Sequence, residues 1–170
     1  IYYMWDFHAD DPAFQIPKER MNRNRQIFAA GLKLIGDGSI SGRTAWMNRP
    51  YRGATDNYGI CVCSDHLIET AIDFCKKNHC QLSMHAMGGR TIERMVDRVC
   101  QESCWTPEGV PHVRMEHVTD PTKDSIQKAA AHGIAFVTQP IFLYAESASY
   151  LSNLGAEWMK RTYPIPQMLK

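Results

Sequence analysis

The chain alternates short apolar runs with helical segments, and this alternation constrains its fold more than any other feature. Leu32–Ile35, the run from Gln81 to Gly88, Val113–Thr119 and Ile134–Pro140 read as strands. Between them lie helical patterns. Ser64 and Asp65 cap one from about His66 to Asn78, whose apolar stripe is Leu67, Ile68, Ala71, Ile72, Phe74 and Cys75. Thr91 to Glu102 carries Ile92, Met95, Val96 and Val99 at helical spacing. The stretch Asp120–Ser125 opens a third helix, which runs through Ala131 and stops at Gly133. A repeat of about 30 residues is the length of a βαβ unit, because parallel neighbours need a crossover between them. The expected class is therefore α/β with a parallel sheet. Ala145 to Lys160 reads as a last helix, and Lys18 to Arg25 as an early one capped by Pro17.

Composition narrows the partners. With 44% hydrophobic and 22% charged residues the chain can bury the core of one domain. Nineteen basic against eighteen acidic residues leave a net charge of +1, so no charge excess argues for nucleic acid or an anionic membrane. No apolar run reaches the roughly 18 residues of a membrane span. The chain starts at Ile1 without a secretory pattern, and reads as a piece of something longer. Of the six cysteines, Cys61 and Cys63 stand too close for a zinc half-site, and Cys100 and Cys104 lie four apart on a helix. Free buried thiols of a cytoplasmic protein are the expectation.

Two histidines stand near the ends of strand candidates that feed helices: His85 in Gln81–Gly88 and His117 in Val113–Thr119. Catalytic groups of α/β sheets and barrels gather at such ends. A lone histidine in either place reads first as a hydrogen-bonded core or loop residue. Two in matched places put a metal site on an equal footing, since neutral imidazole is a common metal ligand. Lys33, flanked by apolar residues in the first strand of the series, is either a desolvated amine with a lowered pKa or a strand-edge lysine reaching water.

The segments Gly31-Leu-Lys-Leu-Ile-Gly-Asp-Gly-Ser-Ile-Ser-Gly-Arg-Thr-Ala-Trp-Met-Asn-Arg-Pro-Tyr51, Met84-His-Ala-Met-Gly-Gly-Arg-Thr-Ile92 and Arg114-Met-Glu-His-Val118 carry a resemblance. In order and spacing they are similar to three consecutive signatures of the amidohydrolase superfamily. The branch they most resemble is amidohydrolase family 3, the YtcJ-like proteins, some labelled exoenzyme regulatory protein. The resemblance runs from about residue 28 onward. It implies a metal-dependent (β/α)8 TIM barrel that hydrolyses carbon–nitrogen bonds, such as non-peptide amides, with a metal-activated water. Lys33 then matches the fourth-strand lysine, which carbon dioxide can carboxylate into a bridge between two ions. His85 matches the fifth-strand ligand and His117 the sixth-strand ligand. The implied cofactor is one or two divalent ions, zinc by preference, and the partner a small-molecule substrate. Glu116 is expected to orient a neighbour rather than to ligate.

Asp37, Ser39, Arg43 and Thr44 occupy the long loop from Ser39 to Gly59 or its approach, where substrate contacts arise; turn chemistry around two glycines explains them equally well. Arg90 joins them as a substrate-side candidate. Family members commonly carry His-Ala-Ile-Gly-Asp-Arg, and Gly89 stands here where that aspartate would be. The family's first-strand His-x-His pair and its eighth-strand aspartate are not found in this sequence. Residues 1–170 thus read as one piece of a barrel, strands four to seven, where a whole barrel takes roughly 250 residues. Such a piece is expected to be inactive alone and to self-associate through open sheet edges. A non-catalytic binding or regulatory module derived from the barrel is the competing reading, against which the joint presence of Lys33, His85 and His117 counts. An open flavodoxin-like sheet is a third, without a glycine-rich phosphate loop to support it.

Overall fold

The computed structural model describes residues 1–170. Five strands form one parallel sheet: β1 (Tyr2–Met4), β2 (Gly31–Ile35), β3 (Gln81–Ala86), β4 (Val113–His117) and β5 (Ala135–Val137). Their order in space is their order in sequence. Right-handed crossovers that always advance one strand put the crossover helices on the same face, which is how a (β/α)8 barrel is wound. A flavodoxin-like sheet needs a reversal of order, and there is none.

Strand periodicity assigns the two faces. Leu32, Leu34, Leu82, Met84, Ala86, Val113 and Met115 are fully buried and point one way. They meet Ile68 and Ile72 of α1 (Asp65–Asn78) and Ile92, Met95, Val96 and Val99 of α2 (Gly89–Val99), with Ala129 of α3 (Lys123–Ala131) beside them. The alternate residues Lys33, Ile35, His85, Arg114 and Glu116 are half-buried on the opposite face, with Ser83 buried among them. One side of the sheet is an oily core and the other is lined with polar groups.

Local signals explain the helix ends. Ser64 Oγ accepts the Leu67 amide, and His79 closes α1 in the left-handed conformation (φ 50°). Thr122 Oγ1 caps α3 through the Ser125 amide.

Several expectations change. β1 was not anticipated; it is three residues long and Trp5 turns out of it at once into a 3₁₀ turn. Only Lys18–Met21 of the basic stretch coils, also as a 3₁₀ turn. The fourth strand candidate shrinks to Ala135–Val137, a half-buried edge. The continuous helix expected over Ala145 to Lys160 is split into α5 (Ser147–Leu154) and α6 (Ala156–Met159) at Gly155 (φ 81°), preceded by α4 (Ile141–Ala145). Beyond Tyr163 the chain forms a short helix, α7 (Ile165–Met168), against α3. Cys104 lies past the end of α2, so it shares no helix face with Cys100, and Cys61 and Cys104 are exposed rather than buried.

The long loop has no regular structure yet is packed. Ile40, Ala45, Met47 and Tyr51 join Met87, Tyr150, Leu154, Trp158 and Tyr163 in a second apolar cluster, which fastens the loop to the α4–α6 segment. Replacing Leu34 by Ala removes side-chain packing at the centre of the sheet. It should cost about 2–5 kcal/mol in urea unfolding, and a loss below about 1 kcal/mol would contradict the assigned core face.

Candidate functional site

Strand register brings the candidate residues together. Lys33 pairs with Ser83 and Ser83 with Arg114; one row nearer the C-terminal ends, Ile35 pairs with His85 and His85 with Glu116. His117 does not follow this alternation. Period two would place it with Met115, toward the helices. Its φ of 74° and the bond from Val118 N–H to Glu116 O (3.0 Å) form a γ-turn that swings the imidazole to the polar face. There its ring centroid lies 4.6 Å from that of His85. Val118 follows with φ 47°, a rare conformation for a β-branched residue. Strain of this kind persists where neighbours over-determine it and clusters at functional sites; the Val118 amide is also held by Ala86 O (3.0 Å).

The two imidazoles are anchored unequally. His85 Nε2 is 2.9 Å from Gly38 O. A carbonyl can only accept, so Nε2 carries the proton and Nδ1 keeps its lone pair. Asp37 Oδ1 stands 3.4 Å from the same nitrogen. His117 Nδ1 is buried with no hydrogen-bond partner. Burial, and after it the neighbouring His85, lowers the His117 pKa and favours its neutral form. No third His, Cys, Asp or Glu completes a ligand group with them.

Lys33 lies beside this pair in a saturated network. Its Nζ is 3.3 Å from Ser83 Oγ, which donates to Glu116 Oε1 (2.8 Å). Arg114 grips both oxygens of Glu116, Nε to Oε1 at 2.5 Å and Nη2 to Oε2 at 3.1 Å. Desolvation lowers the Lys33 pKa against the opposing pull of Glu116. Burial pushes Glu116 up, but Arg114, Ser83 and Lys33 together leave its pKa lowered. Glu116 is thus a structural partner of the wall.

The loop residues prove to be loop builders. Asp37 is buried, and its carboxylate accepts the amides of Trp46 (2.9 Å), Met87 (3.0 Å) and Gly88 (2.8 Å). Burial raises its pKa, and these three amides oppose the rise. Thr44 Oγ1 accepts the Ser39 amide (3.0 Å), and Ser39 Oγ accepts that of Gly42 (3.1 Å). Arg43 (φ 55°) donates to Arg52 O (3.0 Å) and sits over the Tyr51 ring. All four take part in turn and loop contacts, as the turn reading expected. Arg90 opens α2 with its guanidinium 4.3 Å from the Tyr58 ring centroid and 5.8 Å from that of Trp46, clamping the loop. Gly88 is required by proximity, since a Cβ there would come within 2.2 Å of Trp46 O. At Gly89 it would meet Asn48 Nδ2 at 2.5 Å, so Asn48 takes up the space a side chain would need.

Four residues at the site escaped the sequence reading. Ser83 and Arg114 were open to inference, each being two residues before another residue on the polar face. Gln139, just past β5, matches the strand-end placement of the histidines. Phe142, whose ring centroid is 5.8 Å from that of His117, had no signal. In an NMR titration of the metal-free chain, His117 should titrate below 6.5, and His85→Ala should raise its pKa by removing a neighbouring charge. A value that falls or stays put in that variant would contradict the pairing.

Comparison with known proteins agrees with this architecture. The chain is 25% identical over 132 residues to the putative amidohydrolase YtcJ of Bacillus subtilis (strain 168), covering 78% of this chain and 24% of that protein. It superposes on an uncharacterized metal-dependent hydrolase of Pyrococcus furiosus with a TM-score of 0.77 at 19% identity, over 99% of this chain and 34% of the other. A counterpart from Pyrococcus horikoshii OT3 gives 0.76 at 21% identity, over 99% and 32%. The chain therefore spans about a quarter to a third of the proteins it matches. The sheet is part of a TIM-barrel wall of the kind these hydrolases share. The amidohydrolase family matches residues 6–170, nearly the whole chain, and the chain belongs to that family.

Proposed function

We propose that this chain supplies the Lys33, His85 and His117 part of a metal-dependent hydrolase that cleaves carbon–nitrogen bonds of small non-peptide amides. The observation that carries the reading is the γ-turn at His117, which spends backbone strain to set a second imidazole beside His85. The donor set fits a divalent cation. His117 is held neutral, the form in which imidazole ligates, and the His85 proton is fixed on the nitrogen that faces Gly38 O. Two imidazole donors suit zinc; the solved structures that share the fold are described as metal-dependent hydrolases.

His85 and His117 would hold a divalent ion, which would supply Lewis-acid chemistry by making a water more acidic and polarising a carbonyl. The chain's own residues do the rest. Gly38 O and Asp37 orient His85. Ser83 and Glu116 hold the Lys33 amine, which burial keeps inclined to lose its proton. The neutral amine can add carbon dioxide, forming a carbamate and releasing one proton, and so offer oxygens to the site. The remaining ligands and the general base come from outside these residues, so the chain alone is expected to be inactive. Its location is proposed as cytoplasmic, on the strength of six free thiols; no helix is long and apolar enough to cross a membrane.

The test is metal analysis and amide hydrolysis in the full-length protein. Lys33→Ala, His85→Ala and His117→Ala should each cut activity by at least about 100-fold, beyond what outer residues of a metal site control, and the histidine variants should lose metal. Metal content unchanged in all three would remove the assignment. β1 and β5 each pair on one side only. By itself the 170-residue chain should therefore associate through these edges, giving a mass above 19.4 kDa in light scattering at micromolar concentration. A monodisperse monomer would rule this out.

A further inference from the structure

The histidine pair is anchored on one side only. His85 has Gly38 O and Asp37 behind its Nε2, while His117 Nδ1 is sealed from solvent without a partner. A second buried atom without a partner belongs to the same end of the sheet: Gln139 Oε1, two residues past the end of β5, whose Val137 is set beside Glu116 by the strand register. Gln139 Nε2 donates to Val137 O at 3.1 Å, which fixes the amide plane and leaves Oε1 as its free end. One atom can donate and the other can only accept, so a single bond satisfies both. Each left unpaired would cost about 1–3 kcal/mol.

We propose that Gln139 is the positioning residue of His117: its Oε1 accepts the Nδ1–H, fixing the tautomer that leaves Nε2 for the metal. This rests on the metal-site reading above. The favourable influence of the Gln139 side chain on the protonated His117 ring agrees with an oxygen facing a ring N–H. Ligand histidines generally donate their second N–H to such an acceptor, which sets ring orientation and basicity. The two histidines would then present opposite nitrogens, Nδ1 from His85 and Nε2 from His117. β5 thereby enters the site without providing a ligand.

The experiment uses the full-length zinc-loaded protein. Gln139→Met keeps length and removes the acceptor; Gln139→Glu keeps the acceptor. Zinc affinity from competition with a chelating dye should fall about 10- to 100-fold in Gln139→Met and be restored in Gln139→Glu. Long-range ¹H–¹⁵N spectra of the histidine rings should show His117 protonated at Nδ1 in the native protein and in Gln139→Glu, and a weakened or lost Nδ1–H signal in Gln139→Met. Unchanged affinity and tautomer in Gln139→Met, with His117→Ala still losing zinc, would overturn the positioning role and leave the metal site standing. Zinc retained by His117→Ala would overturn both.

Discussion

The site is assembled by one buried carboxylate. Asp37, two residues past β2, accepts backbone amides from Trp46 in the long loop and from Met87 and Gly88 after β3, and approaches His85 as well. Two separate segments, the long loop and the end of β3, are tied to one side chain. A buried carboxylate is costly unless its oxygens are filled, and here amides fill them. The same turn delivers Gly38 O to His85, so the ring orientation and the loop path are set together. Oδ2 holds Trp46 and Gly88 while Oδ1 holds Met87 and faces His85, so loss of the whole carboxylate would free the loop and the ring at once.

Around that tie the glycines are steric necessities. Trp46 runs so close to Gly88 that any side chain would strike its backbone, and Gly36 is pressed in the same way by Met95, Thr91 and His85 O. The loop is therefore clamped between the C-terminal end of the sheet and the second apolar cluster. Arg90, stacked on Tyr58 and Trp46, adds a third restraint. Strain at His117 and Val118, of order 1–3 kcal/mol per residue, is tolerable in so constrained a setting.

How much of this was legible depends on the length of the signal. α1, α2 and α3 announced themselves through capping residues and through stripes such as Ile92, Met95, Val96 and Val99, all buried as their spacing required. β2, β3 and β4 were equally plain. β1 was hidden because three residues cannot display a period, and α5 and α6 were read as one helix because Gly155 was not given its left-handed turn. Lys33, His85 and His117 were singled out by type and by place in their strands. The side of the sheet that His117 takes could not be found that way, since strict alternation sends it to the wrong face; only the γ-turn reverses it. The loop residues kept two readings because Asp, Ser, Arg and Thr beside glycines serve turns and ligands alike; the hydrogen bonds show the turn role.

The polar face of the sheet divides into two levels. In the lower one, Lys33, Ser83, Arg114 and Glu116 are linked by hydrogen bonds and by the Arg114–Glu116 ion pair. One carboxylate there faces two basic side chains, and every one of the four finds a partner within the group. In the upper one, at the strand ends, polar atoms remain unsatisfied, including His117 Nδ1 and Gln139 Oε1. A buried donor or acceptor without a partner costs more than a typical hydrogen bond returns, so native proteins tolerate few. Their concentration beside a strained histidine places the unmet bonding capacity of this wall at its C-terminal rim. Bonded groups below and unpaired atoms above make the wall directional: it holds its own lysine and gathers its spare hydrogen-bonding capacity around the imidazoles.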